Sequence, residues 1–327
     1  MTCLRAAALG GVVVALALTA SSTPAWSQSA APSRAPAGPP PPGPEVQAAM
    51  RAAEAGDPKP LVARADAGDV DAQYYAGVLY IFGAKSVAPD PPRGCAYEQK
   101  ASARRADAMH LVGMCHQNGA FGPADKAKAE AAFTRATEMG FPKSKCALGR
   151  MLMEDPARAQ RGIALCKEAA AAGDVDAEAA LGDAYFAGTA TRPDHAAARR
   201  WYAKAAANNH PHAMRRLGEM YARGDGGRKD TKKALELWTA ADKAGDPLVA
   251  ILVADQLFAD LTGGRKPGPG VYRFEGGVPV ADIEAIEDWY RLAEDGDPRT
   301  EVKARARYAR AILTGMRTNA PTTTRPH

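Results

Sequence analysis

The stretch Ala177–Gly245, AEAALGDAYFAGTATRPDHAAARRWYAKAAANNHPHAMRRLGEMYARGDGGRKDTKKALELWTAADKAG, states one pattern twice. Ala177, Leu181, Gly182, Tyr185 and Gly188 return as Ala213, Leu217, Gly218, Tyr221 and Gly224, each 36 residues on, and Tyr202 returns as Trp238. A period of this length predicts a two-helix unit that buries its apolar face only by stacking on copies of itself. Ala213, Leu217 and Tyr221, spaced by four, form one stripe on the first helix. Glycine beside that leucine costs about 1 kcal/mol in a helix interior, which is tolerable where a second helix approaches closely. Trp238 and its equivalents are expected to fill the space between the two helices.

The small residue closing each second helix extends the pattern outward: Gly68, Arg104, Gly140, Gly173, Asn209, Gly245 and Gly296, at spacings of 36, 36, 33, 36, 36 and 51. Arg104 is placed by its neighbours and not by its type. Nine residues after the first six markers stand Gly77, Gly113, Gly149, Gly182, Gly218 and Ala254, and seven before the markers stand Leu61, Tyr97, Phe133, Cys166, Tyr202, Trp238 and Trp289. Gly-Asp at 173–174 and 245–246 ends a helix through the left-handed conformation. Pro142, Pro211 and Pro247 suit the first turn of the helix that follows. Two departures stand out: Glu154–Ala157 replaces the usual glycine-containing loop of the third unit, and an insert at 262–282 splits the last one, bringing Tyr272, Arg273 and Phe274.

The ends of the chain read differently. Met1–Arg5 is basic, Ala6–Ala20 is an apolar run of 15 residues, and Ala25-Trp26-Ser27 offers a cleavage site. Residues 1–27 are thus expected to be a signal peptide, since the run is shorter than the ~18–20 residues that span a bilayer. Cys3 precedes the apolar run, which argues against lipidation. Residues 28–44, rich in proline and alanine, predict an extended linker. The repeat array is expected over 45–317, with a frayed tail at 318–327.

The pattern A-x-x-x-L-G-x-x-Y-x-x-G followed by W/Y-x-x-x-A-A-x-x-G-D resembles the Sel-one-like repeat (SLR) family, a relative of the tetratricopeptide (TPR-like) repeats. The resemblance is strong from Gly68 to Gly245 and extends to about Met316. It implies an all-α, right-handed superhelical α/α solenoid of about six units, with the first helices lining a concave face. It also implies an interaction scaffold or regulator of the cell envelope. Some relatives are described as penicillin-binding or β-lactamase-like, so a cell-wall or β-lactam hydrolase is the rival reading.

Removal of 1–27 leaves four cysteines, which in an exported protein points to disulfides with three possible connectivities. Cys95 and Cys115 are 20 residues apart around a helix junction near Arg105, and Cys146 and Cys166 are 20 apart around the turn at Pro156. Each pair is equidistant from the turn of an antiparallel helix pair, so its members stand at one level. Cys115 and Cys146 point about 140° apart on their helices. The expected pairing is Cys95–Cys115 and Cys146–Cys166, against four reduced buried thiols. Some bacterial members of the resembled family carry disulfide-linked helix pairs, usually at shorter spacing.

Few signs of catalysis appear. There is no G-x-S-x-G, no S-x-x-K with K-T-G, no H-E-x-x-H and no G-x-x-x-x-G-K-[ST]. Gly224–Gly227 lies between repeat helices with no preceding strand and reads as a turn. His110, Cys115 and His116 could be read as metal ligands, but His110 and His116 do not share one clean helix face and the cysteine has a better use in a disulfide, so no metal and no cofactor is expected. A net charge of +5 with interspersed signs provides no basic stripe for nucleic acid. If tetratricopeptide geometry carries over, the concave face presents Tyr74, His110, Arg150, Asp183, Phe186, His212, Arg215, Glu219, Asp255 and Phe258 to a protein or peptide partner in the periplasm or outside the cell.

Overall fold

The computed structural model describes residues 41–84, 87–190, 192–264, 267 and 280–318. The expected signal segment, most of the linker, Tyr272–Phe274 and residues 319–327 lie outside the described residues. Fifteen helices run through the described part: α1 Pro44–Glu54, α2 Lys59–Asp66, α3 Val70–Phe82, α4 Pro91–Ala101, α5 Ala106–Gln117, α6 Lys126–Glu138, α7 Pro142–Met153, α8 Ala159–Ala171, α9 Val175–Ala187, α10 His195–Ala207, α11 Pro211–Arg223, α12 Thr231–Lys243, α13 Ala250–Leu261, α14 Val280–Gly296 and α15 Thr300–Thr318. They fall into two compact units, 1–180 and 181–327.

Glycine ends most second helices as the spacing requires. Gly68, Gly140, Gly173 and Gly245 have φ between 87° and 94°, and Asn209 takes the same role at 57°. In each case the next residue's N–H reaches five residues back, as from Asp246 to the Ala241 carbonyl at 3.0 Å. This closure ties off helix carbonyls that otherwise lack a partner. Two markers differ. At 104–105 the N–H groups of Arg104 and Arg105 both return to Ala101, with no left-handed residue. Gly296 lies within α14 and is not left-handed. Consequently Tyr290, not Trp289, is the buried aromatic of the last pair, with its hydroxyl donating to Asp255 at 3.0 Å. Pro142 and Pro211 open α7 and α11, whereas Pro247 lies in a turn before α13. There Asp246 accepts from the Leu248 N–H at 2.9 Å and delays the helix.

The helical glycines mark where the second helix presses on the first. A Cβ on Gly113 would meet Phe133 at 2.6 Å, on Gly182 Tyr202 at 2.5 Å, and on Gly218 Trp238 at 2.5 Å. Two pairs solve the same problem without an aromatic. In α7/α8 the small Cys166 occupies the position, and Gly162 one turn earlier replaces the alanine found in the aromatic pairs (Ala129, Ala198, Ala234). Gly149 then abuts the Gly162 carbonyl, 2.6 Å from where a Cβ would sit. In α3/α4 the residue against Gly77 is Glu98, and Gly94 abuts the Gly77 carbonyl in the same way. Each smaller wedge is matched by a glycine that lets the backbones close the gap, which keeps the interior packed.

Glu98 is 0% exposed and neither carboxyl oxygen finds a hydrogen-bond partner among the described residues. Burial, reinforced by the charge of Asp107 and only partly offset by Arg105, pushes its pKa well above the usual carboxylate range. Nearby, Arg105 and Asp107 form a buried two-point ion pair at 2.6 and 3.0 Å, extended to Asp71. The disulfide pairs are formed as the spacing selects: Cys95–Cys115 joins α4 to α5 with Cα atoms 6.0 Å apart, and Cys146–Cys166 joins α7 to α8 at 4.3 Å. No described helix is long and apolar enough to cross a membrane.

Candidate functional site

The first helices of the second unit, α9 and α11, bring six polar and aromatic side chains into one connected group. Asp183 projects from α9 beside Gly182, where Tyr202 of α10 packs and donates its hydroxyl to the Asp183 carboxylate at 2.6 Å. His212 in the first turn of α11 reaches the same carboxylate through Nε2 at 3.0 Å. Its Nδ1 lies 3.0 Å from an Arg215 guanidinium nitrogen. A guanidinium only donates, so Nδ1 accepts and Nε2 carries the hydrogen directed at Asp183. Arg215 continues to Asp246 at 2.8 Å and to Glu219 at 3.2 Å, and Glu219 also takes Arg216 at 2.8 Å. Phe186, one turn beyond Asp183, is stacked on His195 at 4.8 Å and covered by the Arg216 guanidinium at 4.7 Å.

The spacing explains the assembly. Asp183 and Phe186 are three apart on α9, and His212, Arg215 and Glu219 are three and four apart on α11, so each set shares a face. Burial alone would raise the Asp183 carboxyl. The hydrogen bonds from His212 and Tyr202 outweigh it and hold the group below the usual range, so Asp183 is ionised at neutral pH. The Asp183 side chain remains 50% exposed and His212 37% exposed, which leaves both accessible to a partner.

The remaining sequence candidates divide. Arg150 is exposed on α7 in the first unit. Tyr74 lies under the Arg105 guanidinium, 4.2 Å from its ring centre, and burial raises its phenol pKa. His110 is wedged between Phe133 and Phe141, each at 5.2 Å, with Nδ1 3.0 Å from the buried Ser144 hydroxyl. Burial, with Lys143 nearby, lowers its pKa to about 4. Asp255 is occupied by Tyr290 and Arg305. Phe258 requires correction: it is 0% exposed, packed with Ile283, Ile286 and Leu313, and makes no partner-facing surface. The insert displaces α14 in sequence but not in space, so α14 and α15 still cover this side of α13. Arg216, the buried ion pair of Arg105 and Asp107, and Glu98 were not singled out by sequence. Among the described residues no group of three or more metal-binding side chains gathers, and His110, Cys115 and His116 form no site.

Helices paired in series, most of them closed by left-handed glycines and packed against a glycine of the first helix, define an α/α repeat protein. The Sel1 repeat matches at residues 70–104, 106–141, 175–210 and 211–246, so the chain carries Sel1 repeats over these four stretches. The match passes over α7/α8, the pair that replaces its aromatic wedge with Cys166 and its glycine-containing loop with Glu154–Ala157. Among solved structures, one similar chain is a protective antigen of uropathogenic Escherichia coli displaying an SLR fold, at 20% identity and TM-score 0.50. The alignment covers 84% of this chain and 64% of that one, so this chain spans less than two thirds of its length. A Sel1 repeat protein from Oxalobacter formigenes aligns at 20% identity and TM-score 0.48, covering 65% and 90% of the two chains. A putative Sel1 repeat protein from Klebsiella pneumoniae aligns at 23% identity and TM-score 0.43, covering 60% and 97%. No curated protein matches the chain.

Proposed function

We propose that this chain is an exported, non-enzymatic scaffold that binds a protein or peptide partner in the periplasm or outside the cell. The binding surface is the first-helix face carrying Asp183, Phe186, His212 and Arg216. One observation carries the reading: the chain of bonds Tyr202–Asp183–His212–Arg215–Asp246 holds partly exposed groups in single orientations. Groups ordered before binding lose little side-chain freedom when a partner arrives, which favours affinity. Two disulfides suit an oxidising compartment, and the basic-apolar N-terminus provides the route there. An Asp–His pair also occurs in hydrolases, but here the second imidazole nitrogen is taken by Arg215 and is not free to accept a proton from a nucleophile.

The test is affinity capture from an envelope extract with the wild type and with Asp183→Lys, His212→Ala and Phe186→Ala. A partner retained by the wild type and lost by these variants, at unchanged melting temperature, supports the reading. Equal recovery by all four, or turnover of nitrocefin or peptidoglycan that persists through purification, overturns it. Arg215 is a poorer probe, because its reversal would strand the buried Asp246.

A further inference from the structure

A second surface of the second unit has the opposite character. Arg199 of α10 lays its guanidinium on the Tyr221 ring, 3.8 Å from the centroid, and both terminal nitrogens point to the Arg228 carbonyl at 3.3 Å. Lys233, in the first turn of α12, brings its ammonium to 4.9 Å from the same ring. Arg228, Lys229, Lys232 and Lys233 are all exposed around this point. Gly227 makes the approach possible, since any side chain there would collide with the guanidinium. The Asp230 N–H bonds to the Tyr221 carbonyl at 2.9 Å and its carboxylate caps α12, which ties the loop down.

Charge pairing separates this surface from the arginines of α11. Arg215, Arg216 and Arg223 all meet carboxylates. Among the described residues Arg199, Arg228, Lys229, Lys232 and Lys233 meet none. Isolated surface lysines are ordinary, but two cations gathered on one phenol repel each other unless an anion offsets them. Desolvation alone would raise the Tyr221 pKa, yet Arg199 and Lys233 beside it hold the phenol below its ordinary value.

We propose that the Arg199–Tyr221–Lys233 cluster is a docking site for an acidic segment of a protein partner, with one carboxylate seated between the two cations and the phenol hydroxyl. Flanking acids of the segment meet Arg228, Lys229 and Lys232. A peptide suits the patch better than a continuous polyanion or a lipid surface. The same loop carries Asp225 and Asp230, which repel a uniform sheet of negative charge but fit between the discrete charges of a peptide. This site is separate from the Asp183–Glu219 face and does not rest on it.

The test measures fluorescence anisotropy of the full chain, with its disulfides formed, against a labelled peptide of alternating Glu and Gly, with the Gln–Gly peptide as control. The acidic peptide is expected to bind, weakening as salt rises. Lys233→Glu and Lys229→Glu, both exposed, should each weaken it about tenfold, while Lys59→Glu, the same charge change at an exposed residue of the first unit, changes nothing. Binding no tighter than the control, or unchanged in both lysine variants, overturns the proposal. Phosphatidylglycerol vesicles binding more tightly than the peptide, with the same loss in the variants, would overturn it in favour of a lipid surface.

Discussion

The pairs α7/α8 and α11/α12 descend from one pattern and hold together by opposite means. In α11/α12 a large ring does the separating: Trp238 fills the gap over Gly218 and anchors its indole N–H to the Arg215 carbonyl at 3.1 Å. In α7/α8 the ring is gone, Gly149 and Gly162 bring backbone against backbone, and the Cys146–Cys166 bond locks the contact. A ring yields by tilting, whereas two touching backbones do not. The first arrangement therefore depends on the wedge and the second on the absence of side chains. The Sel1 repeat match includes α11/α12 and skips α7/α8.

That difference sets the size of several expected effects. Trp238→Ala should cost most, about 3–5 kcal/mol, by opening a cavity between α11 and α12, read as a fall in the denaturant midpoint. Replacing the Cys146–Cys166 pair with alanines should cost about 2–4 kcal/mol, and the same loss should follow reduction of that bond in the wild type. Gly149→Ala should destabilise by about 2–3 kcal/mol, because its Cβ meets a fixed carbonyl and the disulfide sulfur, against about 1 kcal/mol for Gly218→Ala, where the Trp238 ring can shift. Equal costs at the two glycines would remove the distinction between wedge and direct contact.

The smallest effects are proton-linked and run in opposite directions. Glu98 has a raised pKa in the folded chain, so its contribution is intact below the ordinary glutamate value of 4.5 and is lost as pH rises through the folded pKa. Glu98→Gln should flatten that slope and leave the variant about 1 kcal/mol or more stabler at neutral pH. Glu98→Phe should not help, because Gly94 holds α3 and α4 too close for a ring. His110 has the depressed value of about 4, so its contribution is intact above 6.5 and is lost as pH falls towards 4. Melting curves between these limits for Glu98→Gln and His110→Phe should tilt oppositely relative to the wild type.

How much of this was legible depended on whether a residue acts through its own helix or through a neighbour. The 36-residue period, the left-handed closures and the cysteine levels are local regularities, and they appear where the spacing put them except at Arg104 and Gly296, which close nothing in the left-handed form. The candidate site was legible in part: Asp183, His212, Arg215 and Glu219 fall together because helical spacing places them on facing stripes. Phe258 followed the same rule and failed, since α14 and α15 return over it after an insert whose path the spacing does not encode. Glu98 escaped notice because Tyr97, one position earlier, matched the aromatic rule, and the shortened junction at Arg105 shifts the register by that one residue.

Sequence alone thus determined the helix-pair repeat, its units and its cross-links, because backbone closure and helical periodicity depend on near neighbours. Tertiary structure decided which aromatic, cysteine or acid became the wedge and which arginines were neutralised. It also decided that Arg199 and Lys233 meet on Tyr221 with no acid among the described residues paired to either. Those outcomes depend on distances between residues 12 and 22 positions or more apart in the chain, which only the packed helices bring into contact.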